Sequence, residues 1–182
     1  MRRLRYSINV SLDGCVDHAA PAFGVYEDVH RHAARTVAEV DALIFGRTTF
    51  ELMEFWRSPG DVPSWTLPFA EAIGPQKKYL VSTTRTATDW NTENLRGDPV
   101  EAVRSLKQQP GGDLLVGGVR LPLALADAGL IDEFEFVVHP VVAGRGPTLF
   151  AGLAEPLRLE QVGATEFASG VVARRYVPSG SA

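Results

Sequence analysis

Two glycine-bearing junctions between a predicted strand and a predicted helix carry the residues best suited to bind a ligand. In the first, the apolar run 42–45 ends at Gly46, and Arg47 and Thr48 follow directly. A glycine lets a ligand approach the backbone closely, and an arginine offers a permanently charged, forked donor that suits a phosphate. Thr48 could donate its hydroxyl to the same anion. Thr48 and Glu51 also have the spacing of a helix capping box, so this stretch alone leaves a phosphate site and a structural cap equally open.

The second junction is the sequence LLVGG, residues 114–118, which precedes a predicted helix in RLPLALADAG. Two glycines after a short apolar strand remove both Cβ atoms where the pyrophosphate or nicotinamide of a cofactor would lie against the backbone. The pattern is neither the G-x-G-x-x-G dinucleotide fingerprint nor a P-loop, and a lone Gly-Gly pair can also be a tight turn. Together with Arg47 at the first junction, it favours a phosphorylated nucleotide as the ligand.

Candidates for other chemistry are sparse. His30 and His32 are two positions apart on a predicted helix, so they point to opposite sides and no metal site is expected. The sequence lacks the G-x-S-x-G elbow of many serine hydrolases. The remaining candidates are acids: Glu27 opens the same helix as a surface charge or a proton donor, and Asp13 lies in the turn-like sequence SLDG.

Composition narrows the class of protein. The chain has 182 residues, 45% of them hydrophobic and 22% charged, which predicts one globular domain spanning residues 1–182. A net charge of −4 argues against nucleic acid as a partner, and no apolar run is long enough to predict a membrane span. The single cysteine excludes an internal disulfide, and a reduced, cytoplasmic setting is the simplest expectation.

The elements that must position these residues alternate along the first two thirds of the chain. Hydrophobic periodicity predicts strands at 4–12, 42–45, 77–82 and 114–118, helices at 26–39, 49–55, 98–109 and within 120–129, a loop at 57–68, and a strand-rich final third. Alternating strands and helices predict parallel βαβ units, and the ending predicts antiparallel strands added to the same sheet. The expected fold is therefore α/β, a three-layer α-β-α arrangement around a mixed sheet. Exposed edge strands in the final third favour a homodimer.

These motifs, taken in order, resemble a known family. The sequences NVSLDG, IFGRTTFE, KYLVST and the block from LLVGG to HPVVAGRGPTLF are similar to those of the dihydrofolate reductase superfamily. Within it, the chain most resembles the reductase domain of the bifunctional deaminase–reductase of riboflavin biosynthesis, the RibD C-terminal domain, from about residue 4 to residue 177. The resemblance implies a dihydrofolate-reductase-like fold that binds NADPH.

Carried over position by position, the resemblance also implies which residues contact that cofactor. The Gly46 junction matches the segment that holds the 2′-phosphate, Ser82 and Thr83 match the adenosine side, and the Gly-Gly junction matches the pyrophosphate and nicotinamide segment. Val10 and the loop 12–16 match the edge over the nicotinamide. The full implied set is Val10, Leu12, Gly14, Val16, Phe45, Gly46, Arg47, Thr48, Ser82, Thr83, Val116, Gly117, Gly118, Val119 and Leu121.

The resemblance implies a reductase that transfers hydride from NADPH to a C=N or C=O group of a small heterocyclic substrate, pterin-like or pyrimidine-like. Asp13 matches an aspartate that the riboflavin-pathway enzymes bring near the substrate, and it is the first candidate proton donor, followed by Glu27 and Tyr26. The acid with which folate reductases hold the pteridine would fall near His30, which argues against folate. The alternative is a non-catalytic NADP(H)-binding or regulatory protein that retains the fold.

Overall fold

The computed structural model describes residues 1–17 and 23–180, which form one eight-stranded sheet. Along the sheet the strands follow the order β4-β3-β2-β5-β1-β6-β8-β7. The strands from β4 to β6 in this order are parallel, and β8 runs antiparallel to both of its neighbours. Their bounds are β1 Leu4–Ser11, β2 Ala42–Gly46, β3 Lys77–Val81, β4 Thr92–Leu95, β5 Leu114–Gly117, β6 Glu133–His139, β7 Leu159–Glu166 and β8 Val172–Pro178.

Within the described residues, five α-helices cover the two faces of this sheet. They are α1 (Glu27–Ala38), α2 (Arg47–Met53), α3 (Leu67–Ile73), α4 (Pro99–Gln108) and α5 (Arg120–Asp127). Successive side chains of β2 point to opposite faces, and both faces are buried: Leu43 packs with Val37 and Ile73 of α1 and α3, whereas Ile44 packs in the cluster of α4 and α5. The three-layer α/β fold is therefore confirmed, and so is the reading of β2 as a strand buried on both sides.

Several element boundaries differ from the sequence prediction. The carboxylate of Asp98 accepts hydrogen bonds from the backbone N–H groups of Val100 and Glu101, as expected for the start of α4. The predicted loop 57–68 instead contains a 3-10 turn, Ser64–Thr66, and the first residues of α3. Pro68 does not disrupt α3 because it lies at the start of the helix, where a missing N–H costs nothing.

The strand β4 was not predicted, because its sequence TENL has no apolar alternation. It pairs on one side only, with β3, and so needs little hydrophobic surface. The two edges of the sheet are β4 and β7, and the homodimer stays a prediction.

The central strands separate at the carboxyl end of the sheet. The pairing of β5 with β1 reaches only the Tyr6–Val116 rung, whereas the pairing of β1 with β6 continues to Ser11 and His139. Beyond Gly117 the chain leaves the sheet to begin α5, so in the described part of the chain the second half of β1 pairs with β6 alone. β5, which lies between β2 and β1, therefore ends well before β1, and in open α/β sheets ligands bind outside the carboxyl ends of the strands.

Candidate cofactor site

The Gly-Gly turn after β5 is held by side chains from three elements. Gly118 has a φ of +97°, and a Cβ atom there would lie under 3.0 Å from Oγ1 of Thr49 on α2. A Cβ atom on Gly117 would lie 3.1 Å from the ring of Phe45. On the other side, the Tyr6 hydroxyl of β1 donates a hydrogen bond of 3.0 Å to the carbonyl oxygen of Gly118. Burial raises the pKa of Tyr6 well above its ordinary value, so this hydroxyl stays a donor at any physiological pH.

Gly46 and the start of α5 lie next to each other. A Cβ atom on Gly46 would meet the Cβ atom of Leu121 at 3.9 Å, an ordinary van der Waals distance. The register pairs Phe45 with Gly117, which places both predicted junctions side by side. The structure therefore brings together the predicted residues Phe45, Gly46, Arg47, Val116, Gly117, Gly118, Val119 and Leu121.

Arg47 lies at the start of α2 with its side chain 56% exposed. Its Nε donates to Oε1 of Glu51 at 2.9 Å, and its Nη1 donates to the hydroxyl of Thr84 at 3.2 Å. The capping-box alternative is wrong, because no side chain caps α2 and Glu51 binds arginine instead of the backbone. Thr48 is exposed and does not serve as the cap.

The loop after β3 supplies further polar groups that sequence reasoning missed. Ser82 Oγ accepts from the backbone N–H groups of Thr84 and Arg85, so the predicted residue Ser82 shapes the loop. The carbonyl oxygen of Ser82 accepts a 2.8 Å hydrogen bond from Arg96, just after β4. Thr84, and not the predicted Thr83, contacts Arg47. Arginines 47, 85 and 96 each follow a parallel strand by one to four residues, a shared position that could have indicated them.

Arg85 is neutralised by two carboxylates of the α2 segment. It donates to Glu51 at 3.2 Å and to both oxygens of Glu54 at 2.8 and 2.7 Å. Its guanidinium carbon also lies 5.4 Å from the centre of the Phe50 ring. The hydrogen bonds from Arg47 and then Arg85 lower the pKa of Glu51, so this carboxyl is ionised at neutral pH.

The predicted loop 12–16 packs on a later loop of the chain. Leu12 donates its N–H to Val141, Val16 donates to Pro147, and a Cβ atom on Gly14 would lie 3.3 Å from Thr148. Val10 and Val16 are buried, whereas Leu12 is 63% exposed. These predicted residues therefore lie beyond the point where β5 leaves the sheet, and their contact with a cofactor stays a prediction.

Asp13 has a structural role in this loop. Its carboxylate accepts hydrogen bonds from the hydroxyl of Ser11 at 2.5 Å and from the backbone N–H groups of Ala143 and Gly144 at 3.0 and 2.7 Å. The bond from Ser11, followed by those from Ala143 and Gly144, lowers the pKa of Asp13 to about 2. Asp13 therefore carries no proton at neutral pH, which argues against its expected role as the proton donor.

Tyr26 and Glu27 lie at the start of α1. The Tyr26 ring stacks on His139 with 6.1 Å between centroids, and Glu27 pairs with Arg31 one turn along the helix. Both line a surface depression that also includes Ser169. Neither residue contacts the Gly-Gly turn in any hydrogen bond or ring contact of the described residues.

The three histidines within the described residues occupy separate surroundings. His30 packs among Trp56, Trp65 and Phe69, and burial lowers its pKa, whereas His32 binds Glu135 at 3.0 Å. His139 binds Asn9 at 3.0 Å. Among residues 1–17 and 23–180 there is no group of three His, Cys, Asp or Glu side chains that could hold a metal. No helix in that part of the chain is long and apolar enough to span a membrane.

Comparisons with known proteins agree with the fold. An uncharacterized protein, YyaP of Bacillus subtilis, is 32% identical over 135 residues, which cover 74% of this chain and 72% of YyaP. Among solved structures, Acinetobacter baumannii RibD aligns with a TM-score of 0.73 at 19% identity, over 98% of this chain and 58% of that one. A pyrimidine reductase-like protein of Corynebacterium diphtheriae aligns with a TM-score of 0.68 at 12% identity, over 99% and 93% of the two chains.

The family assignment comes from the sequence as a whole. The sequence model of the RibD C-terminal domain family matches residues 2–173. These residues include both glycine junctions and every strand of the parallel part of the sheet. The chain therefore belongs to the RibD C-terminal domain family, and this membership supports a reductase role.

Proposed function

We propose that the protein is an NADPH-dependent reductase that acts on a C=N or C=O group of a small heterocyclic molecule. The observation that carries the proposal is the juxtaposition of Gly46 and Arg47 with Gly117 and Gly118 at the carboxyl ends of β2 and β5. Backbone without Cβ atoms, next to an arginine, suits a ligand that combines phosphates with flat rings.

The residues present fit that cofactor. The backbone of Gly46 and of residues 117–119 would take the pyrophosphate and nicotinamide, with Val119 and Leu121 as apolar neighbours. Arg47 and Arg96, with the hydroxyl of Thr84, would hold the 2′-phosphate. When bound, NADPH supplies the hydride, while the chain orients the substrate and excludes water.

The hydrogen bonds of the candidate acids reduce the number of possible proton donors. Asp13 has its carboxylate occupied by three donors, so the proposal assigns it to hold the loop 143–144 in place. Tyr26 retains a hydroxyl that can donate, and Glu27 is paired with Arg31. Tyr26 or a water molecule therefore supplies the proton in this proposal.

Arg47→Ala tests the cofactor assignment. We expect the affinity for NADPH to fall by about tenfold or more, because a charge-assisted hydrogen bond contributes about 1.5–3 kcal/mol. The affinity for NADH should change far less. Arg104→Ala is the matched control, because Arg104 is a half-exposed arginine that also pairs with a glutamate along its own helix. Titration of NADPH fluorescence measures both affinities, and equal NADPH binding by all three proteins would exclude the phosphate assignment.

A second candidate is an NADP(H)-binding protein without catalytic activity, because the carboxylate of Asp13, the first candidate proton donor, is occupied by Ser11, Ala143 and Gly144. Incubating the protein with NADPH and a panel of pterins, pyrimidines and ketones separates the two. NADPH oxidation with any member supports the reductase, whereas NADPH binding without oxidation across the panel supports the second candidate.

A further inference from the structure

Arg47 and its partner Glu51, together called the Arg47 corner, belong to a continuous series of ion pairs in which positive and negative side chains alternate. Arg47 and Arg85 share Oε1 of Glu51, and Arg85 also binds Glu54. Arg57 continues the chain, with 3.7 Å to Glu54 and 2.6 Å to Asp89. Its six members are Arg47, Glu51, Arg85, Glu54, Arg57 and Asp89, and their formal charges cancel.

Because the charges of these side chains cancel, the Arg47 corner attracts a phosphate less strongly than an unpaired arginine would. A phosphate brought to Arg47 must approach a carboxylate that already accepts from Arg47 and Arg85 on a single oxygen. Two negative charges a few ångströms apart repel each other even in a solvated setting. Arg96 differs, because its donors go to the carbonyl of Ser82 and the hydroxyl of Thr86, both of which are uncharged.

A ribose hydroxyl would experience the same carboxylate differently. A carboxylate accepts hydrogen bonds from hydroxyl groups, and in dinucleotide-binding folds an acidic side chain commonly recognises the free 2′-hydroxyl of NADH. Glu51 is a half-exposed carboxylate on the helix that begins at the proposed 2′-phosphate site. It therefore disfavours a phosphate and favours a hydroxyl at the same position.

We propose that Glu51 is a specificity-determining residue that limits the preference of this protein for NADPH over NADH. The inference rests on the proposed function, since it assumes that the adenosine end of the cofactor lies at Arg47. Glu51 contributes negative charge where the 2′-phosphate would lie, and Arg96 contributes the positive charge that no carboxylate offsets within the described residues.

The test measures binding of two adenosine fragments, 2′,5′-ADP and 5′-AMP, by isothermal titration calorimetry on the full chain. Glu51→Gln keeps the size and a hydrogen-bonding oxygen but removes the charge. We expect it to raise the affinity for 2′,5′-ADP by about five- to tenfold, with little change or a loss for 5′-AMP. The gain should persist in the Arg47→Ala background, because the Glu51 carboxylate repels the phosphate whether or not Arg47 is present.

Two controls make the result specific. Glu101→Gln removes a carboxylate that pairs with Arg104 on α4, and it should leave both affinities unchanged. Glu51→Asp retains the charge and should bind 2′,5′-ADP within about twofold of the parent protein. Unfolding in urea checks that each variant is folded.

Two results would overturn the inference while the proposed function stands. One is an unchanged ratio of the two affinities in Glu51→Gln. The other is weaker binding of 2′,5′-ADP, which would make Glu51 a residue that positions Arg47. If the parent protein binds neither fragment and no NADPH, the proposed function and this inference both fail.

Discussion

Replacing Gly118 with alanine should destabilise the protein by more than backbone strain alone predicts. Gly118 has a φ of +97°, and an alanine in left-handed backbone costs about 1–2 kcal/mol. The new methyl group would also lie under 3.0 Å from Oγ1 of Thr49, and overpacking of this kind costs about 1–3 kcal/mol. We therefore expect Gly118→Ala to lower the free energy of unfolding by about 3 kcal/mol.

Gly129→Ala is the matched control for the strain. Gly129 has a φ of +65°, and a Cβ atom there would have no neighbour within 4 Å. Its alanine variant should lose only the backbone contribution, about 1–2 kcal/mol. The difference between the two alanine variants then isolates the contact with Thr49.

A second change tests the contact directly. Thr49→Ala removes Oγ1, after which the nearest Thr49 atom to the new methyl group would be Cβ, at 3.5 Å. The double variant should therefore recover about 1–3 kcal/mol of the loss in Gly118→Ala. Urea unfolding followed by tryptophan fluorescence and circular dichroism measures all five proteins. Equal losses in Gly118→Ala and Gly129→Ala, or no recovery in the double variant, would refute the reasoning.

Two further predictions concern pH. The folded-state pKa of Asp13 is about 2, below its ordinary 3.8, so its stabilising effect is complete above pH 3.8 and is lost as the pH falls towards 2. Asp13→Asn should be less stable than the parent at pH 7 and equal to it near pH 2, as measured by urea unfolding; a constant difference would contradict this. Lys78 is fully buried, and burial, followed by the nearby charge of Arg57, lowers its pKa from 10.5 to about 8. Between about pH 8 and 10.5, Lys78 is protonated in the unfolded chain but not in the folded one. The free energy of unfolding of the parent should therefore rise with pH over this range relative to that of Lys78→Met. Parallel profiles of the two proteins would contradict the lowered pKa of Lys78.

Local pattern was sufficient for most of the scaffold. The alternation in β1, the unbroken apolar run of β2 and the Asp98 cap each depend on residues within a few positions of one another. The two glycine junctions were visible for the same reason. Their adjacency followed from the general rule that parallel strands end at one edge of a sheet.

The interaction partners of the side chains in the candidate site could not all be predicted without the tertiary structure. Glu51 had the sequence spacing of a cap, yet it binds Arg47, one turn earlier on its own helix, and Arg85, 34 positions away. Asp13 had the position of a proton donor, yet its carboxylate accepts from Ser11 nearby and from N–H groups 130 and 131 positions away. Residue type and local spacing therefore determined where a ligand could lie. Only the tertiary structure decided which distant groups join the local partners of each side chain, because electrostatic interactions act through space and not along the chain.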